Sequence, residues 1–168
     1  MIEVEIDSIR ISLISQHRIV MLREVDGERQ LPIWIGPCEA EAITIELQDT
    51  EISRPLTHDL LKNVIEQLQG KLSHILVSEL RNQVFYARLV IDVRGQQMEI
   101  DCRPSDAIAL AVRAKVPIFV GESVMDEVGV LPEPDVSRKE EPTISGEEKL
   151  DAFMDFVDTL DFDDFIEE

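Results

Sequence analysis

The sequence predicts one α+β domain, an antiparallel or mixed sheet packed with about three helices, followed by an acidic C-terminal helix. Three observations carry this. Stretches in which apolar residues recur every second position are interrupted by stretches of helical spacing. At 44% apolar, the 168-residue chain can bury a real core. The charge is split: residues 133–168 hold 3 Lys/Arg against 14 Asp/Glu, so −11 of the net −19 sits in that last segment. The division expected is a domain over 1–132, a linker over 133–147 and an amphipathic acidic helix over 148–168.

Residues 2–14 alternate, with Ile2, Val4 and Ile6 on one phase and Ile9, Ile11 and Leu13 on the other. The slip at Asp7-Ser8 predicts a β-bulge or bend. His17–Val25 reads as a second strand, Asp26-Gly27 as a hairpin turn and Arg29–Ile35 as a third strand. After Gly36-Pro37, the spacing of Ala40, Ile43 and Leu47 predicts a helix over Cys38–Gln48.

Thr57 is the expected N-cap of a second helix. Leu60, Leu61, Val64, Ile65 and Leu68 form its apolar stripe, and Gly70 ends it. Leu72–Cys102 reads as a three-stranded meander turning near Arg81-Asn82 and Arg94-Gly95. Phe85, Ala87, Leu89, Ile91 and Val93 share its core face; Met98, Ile100 and Cys102 share a face of the last strand, so Glu99 and Asp101 point the other way. Ser105–Lys115 is a helix apolar almost all round, expected to lie buried between layers with Ser105 as its N-cap. Val116–Val120 is a short strand.

One internal echo stands out. Leu31-Pro32-Ile33-Trp34-Ile35-Gly36 resembles Val116-Pro117-Ile118-Phe119-Val120-Gly121, which suggests two equivalent strand ends with similar glycine turns. Beyond Leu131, prolines among charges read as linker. Leu150, Phe153, Met154, Val157 and Leu160 then repeat with helical spacing, opposite Asp151, Asp155 and Asp158. Such a helix is expected to dock on the domain, a sister subunit or a protein partner.

A net charge of −19 disfavours non-specific nucleic-acid binding, which draws its affinity from Lys and Arg on phosphates. Two cysteines, Cys38 and Cys102, suit a reducing cytosol rather than a disulfide framework. No apolar run approaches a membrane span, and Met1 leads into a strand pattern without a basic n-region, so a cytoplasmic location without membrane or signal peptide is expected. There is no CxxC, HExxH, glycine-rich phosphate loop or basic–aromatic stripe.

Three separated segments occur in an order that resembles the bacterial bifunctional nuclease domain family: Leu31–Glu41, Arg54-Pro55-Leu56-Thr57-His58-Asp59-Leu60-Leu61, and Asp101-Cys102-Arg103-Pro104-Ser105-Asp106-Ala107-Ile108-Ala109. The likeness covers roughly residues 1–132, and the ending Leu160-Asp161-Phe162-Asp163-Asp164-Phe165 is similar to the ends of some members. Members resemble a plant protein credited with DNase and RNase activity. The resemblance implies a self-associating α+β domain, hence a homo-oligomer, and a nuclease. It assigns no catalytic residue.

Nuclease chemistry is in-line displacement at phosphorus, commonly with divalent metals held by carboxylates. The candidate catalytic residues are Asp101, Asp106, Asp59 and His58; the candidate metal ligands for Mg²⁺ or Mn²⁺ are Asp101, Asp106 and Asp59. Arg54 and Arg103, each before a proline, are the candidate phosphate binders. Each also has a structural explanation. Asp59 and Asp106 fall in first helical turns, where a carboxylate stabilises the helix start. Asp101 is equally suited to pairing with an arginine. Glu39 and Glu41 read as solvated, His58 as exposed, Cys38 and Cys102 as small buried residues, and Trp34 as core or interface. Two further functions compete: a non-catalytic oligomeric regulatory or interaction module, and a binding protein for a small anion held by Arg54 and Arg103.

Overall fold

The phase slip at Asp7-Ser8 is a β-bulge. In a computed structural model describing residues 1–12 and 17–132, β1 (Ile2–Ile11) pairs antiparallel with β2 (Arg18–Glu24), and the register shifts between Ile6 and Ser8. The extra residue moves Ile9 onto the packed side, so apolar residues of both phases reach the core. β2 turns back into β3 (Gln30–Ile35). The meander follows as β4 (Gly70–Arg81), β5 (Val84–Val93) and β6 (Gln96–Cys102), all antiparallel. β7 (Ile118–Val120) closes the sheet between β1 (antiparallel) and β4 (parallel), giving the order β3-β2-β1-β7-β4-β5-β6. The sheet is therefore mixed, and the fold is α+β.

The helices are α1 (Pro37–Leu47), α2 (Thr57–Gln67), α3 (Pro104–Ala114) and α4 (Glu122–Val128). The last goes beyond the three read from sequence. The internal echo has a structural counterpart: Gly36 is the N-cap between β3 and α1, and Gly121 the N-cap between β7 and α4. A Cβ on Gly121 would lie 3.0 Å from the Ser78 carbonyl oxygen, so a bare backbone lets this corner press against β4.

α3 is the buried helix its composition predicts. Ala107, Ile108, Ala109, Leu110 and Ala111 are all enclosed, packed with Ile75, Val77, Ala87, Leu89 and Ile91 in one core. Burial of side chains such as Ile108 and Leu110 contributes about 1.5–3 kcal/mol each. The alanines let the helix sit close to its neighbours, and α1 and α2 both pack along it.

Two apolar faces read from the sequence are left uncovered by the described residues. The stripe on α2 is mostly outward: Leu60, Leu61, Val64 and Leu68 are exposed, and from the stripe Ile65 packs on the core. On the edge strand β6, Met98 and Ile100 are exposed as well. Helical period identifies an apolar face but not whether the domain has an element to cover it. The predicted linker over 133–147 and tail helix over 148–168 lie outside the described residues. No helix among the described residues is long and apolar enough to cross a membrane.

Candidate functional site

Three helix starts meet at one cleft. α1, α2 and α3 have N-caps Gly36, Leu56 and Arg103, and none of these supplies a capping side chain. Thr57 and Ser105, expected as caps, stand inside their helices at the first and second positions. The compensation comes from the third helical residue, which is acidic each time: Glu39, Asp59 and Asp106. Asp59 Oδ2 accepts the Leu56 backbone N–H at 2.7 Å, one half of a capping box. At Gly36 the missing Cβ leaves room for the Glu39 carboxylate, whose Oε2 would collide with a side chain there.

Each carboxylate then finds an arginine. Arg103 grips Asp106 with two hydrogen bonds, Nε to Oδ2 at 2.7 Å and Nη2 to Oδ1 at 3.0 Å. Nη2 also reaches Glu39 Oε1 at 2.8 Å. His58 Nε2 lies 3.2 Å from Asp106 Oδ1. With Asp106 ionised, that nitrogen carries the proton and donates. His58 is therefore not exposed as the sequence suggested; it is 9% exposed, the one buried residue of α2. Glu39, read as solvated, is a member of the cluster.

Burial raises the Asp106 pKa, but the hydrogen bonds from Arg103 and His58 outweigh it and hold the carboxyl below its usual range. Asp59 shows the same balance: burial raises it, while the Leu56 N–H and Arg113 bring it below normal. Arg113 is the residue sequence reasoning missed. Its side chain is 2% exposed. It donates to Asp59 Oδ1 at 2.7 Å, the Ala109 carbonyl at 2.8 Å and the Ala42 carbonyl at 2.9 Å, so one guanidinium ties α1, α2 and α3 together behind the cleft. The available signal was a lone cation near the end of a helix whose only other charge is Asp106.

The cleft has a volume of about 650 Å³. Cys38, Glu39, Glu41, Leu56, Thr57, His58, Arg103 and Asp106 are among its lining residues. Asp59 is turned to Arg113 instead. Asp101 is elsewhere: it faces a separate polar depression with Glu79, Arg81, Tyr86, Arg88 and Glu99, opposite Arg88 in the β5–β6 register. The period of two that sent Asp101 away from Ile100 also sent it away from Asp106. Arg54 is exposed and makes no hydrogen bond or ion pair with the described residues. Among the described residues no group of three or more His, Cys, Asp and Glu side chains could hold a metal ion, so the predicted Asp59–Asp101–Asp106 set is not assembled. Three carboxylates, Glu39, Glu41 and Asp106, do line the cleft. Of the cysteines, Cys38 is exposed, contrary to expectation. Cys102 is half-buried, and burial with the nearby Asp101 and Asp106 charges pushes its thiol up to about 12, far from nucleophilic range.

The sequence profile described as the bifunctional nuclease domain matches residues 20–133, more than half of the chain. The chain belongs to that family. Over 163 residues, 97% of both chains, it is 40% identical to an uncharacterized protein of Mycobacterium tuberculosis. It is 30% identical over 115 residues to the protein named Bifunctional nuclease 2 of Oryza sativa subsp. japonica, matching 66% of this chain and 35% of the rice protein. Against Bifunctional nuclease 1 of Arabidopsis thaliana the figures are 27% over 110 residues, 63% and 34%. The three segments that resemble the bifunctional nuclease domain are the three that build the cleft: Leu31–Glu41 carries β3 into α1, Arg54–Leu61 opens α2, and Asp101–Ala109 carries β6 into α3.

Proposed function

We propose that this chain hydrolyses phosphodiester bonds of DNA or RNA in the cleft between the starts of α1, α2 and α3. One observation carries the reading: His58 and Asp106 form a hydrogen-bonded dyad, with Asp106 gripped by Arg103, at the wall of an open cleft. Asp106 fixes the proton on Nε2 and leaves Nδ1 as the basic nitrogen. That nitrogen takes a proton from water as the water oxygen bonds to phosphorus. The bond from phosphorus to the leaving sugar oxygen breaks in line, and that oxygen is protonated from solvent. Arg103 keeps Nη1 without a partner among the described residues, and its N–H groups stabilise charge on the phosphoryl oxygens. Glu39 and Asp106 are bridged by the Arg103 guanidinium, so Mg²⁺ or Mn²⁺ would be held by these two carboxylates, waters and phosphate only with Arg103 shifted onto the phosphate. Bound there, it would act as a Lewis acid on phosphate.

The test is cleavage of end-labelled single-stranded DNA and RNA by the full chain, with Mg²⁺, Mn²⁺ or EDTA. His58→Gln and Asp106→Asn should each lower kcat by roughly 10²–10⁴-fold. Asp101→Asn, in its separate depression, should leave the rate unchanged. Full activity in both dyad variants overturns the assignment.

A second reading rests on the exposed Leu60, Leu61, Val64 and Leu68 of α2: a self-associating interaction module without catalysis. Sedimentation of the wild type and of Leu60→Lys/Leu68→Lys separates the two, because an oligomer built on this face should dissociate in the variant.

A further inference from the structure

Trp34 is the single tryptophan of the chain, and it is 61% exposed. Its neighbours on β3, Ile33 and Ile35, are buried, so the period of two turns the indole outward. It stands beside a groove of about 300 Å³ whose walls include Val84, Phe85, Pro104 and Arg103. That volume is at the lower end of small-ligand sites. Arg103 lines both this groove and the candidate cleft, so the two adjoin at one side chain. Its Nε and Nη2 are committed to Asp106 and Glu39, and Nη1 remains for an incoming oxygen.

We propose that the groove takes one unpaired base of a single-stranded nucleic acid, stacked on Trp34, with its adjoining phosphate on Arg103. This deepens the nuclease reading and rests on it. Stacking on an indole needs a free base face, which a duplex does not offer along its length, and it accepts any base. The pairing of an exposed aromatic ring with an arginine is the chemistry single-stranded nucleic acid uses. The overall charge of −19 opposes long tracts of phosphate, so a short segment held by stacking and one guanidinium is the chemistry that fits.

The lone tryptophan makes the test direct. In EDTA, short oligothymidylate and oligouridylate should quench the fluorescence of the full chain, and a blunt duplex should not. Anisotropy of the labelled oligothymidylate should show binding about 10-fold weaker for Trp34→Ala and within about 3-fold for Trp34→Phe. Absence of quenching, or equal affinity of Trp34→Ala, overturns the subsite. If Trp34→Ala instead alters sedimentation with affinity unchanged, the face belongs to a second copy and the subsite is likewise overturned. Cleavage without quenching discards the subsite and spares the nuclease reading; quenching without cleavage does the reverse.

Discussion

Asp59 and Asp106 occupy the same place in two helices, and each is held by an arginine, yet the pairs do different work. Arg113 is enclosed, and its bonds to Asp59 and the Ala42 and Ala109 carbonyls lock three helices together. Arg103 has a side chain 66% exposed, and its partner Asp106 also meets His58 at the cleft wall. The same local grammar thus yields a structural clamp where the arginine comes from the far end of the buried helix, and a chemically available group where it comes from the adjacent corner. Burial decides which, because an enclosed charge must satisfy its donors within the protein while an exposed one can exchange partners with water or substrate.

The largest expected effect falls on the clamp. Arg113→Ala should destabilise the domain by about 3–5 kcal/mol, since it strands Asp59 and two carbonyl oxygens. Urea denaturation checks this, and a loss below about 1 kcal/mol would erase the distinction between the pairs. Acid comes next. Both carboxyls have folded pKa values lowered from 3.8, so each stabilises the fold above that range and loses its contribution as pH falls through it. Stability should hold from neutral pH to about pH 5 and drop below it. Asp59→Asn should flatten the acid limb, measured by thermal melts between these conditions. The smallest change in stability belongs to Arg103→Ala, under about 1 kcal/mol because the pair is solvent-screened. Its cleavage rate should nonetheless fall by 10-fold or more, since a charge on the phosphoryl oxygens is lost. A variant that lost stability and kept its rate would reverse the roles of the two arginines.

Much of the fold was legible because it depends on local periodicity. The bulge at Asp7-Ser8, the core face of β5, the buried α3 and the paired strand–glycine–helix corners are all written in spacing of two or of helical kind. The site was legible in part. Asp106 and His58 were singled out as titratable residues at helix starts, and Arg103 as an arginine before a proline at such a start. Glu39 was undervalued because its partner lies 64 positions away in sequence, at Arg103. Arg113 was missed because its carboxylate partner is 54 positions away. Asp101 was included on proximity in sequence, and alternation along β6 removed it.

By itself the sequence determined the strands, the first three helices, a carboxylate in the first turn of each helix at the cleft, and membership of the bifunctional nuclease domain family. These follow from neighbouring residues, whose spacing fixes backbone conformation and face. Only the tertiary structure decided that three helix starts share one cleft, that Arg113 locks them from behind while Arg103 faces out, and that α2 and Trp34 turn apolar surface outward. Those outcomes depend on which elements the sheet order β3-β2-β1-β7-β4-β5-β6 brings together, and burial is a property of that assembly rather than of any one segment.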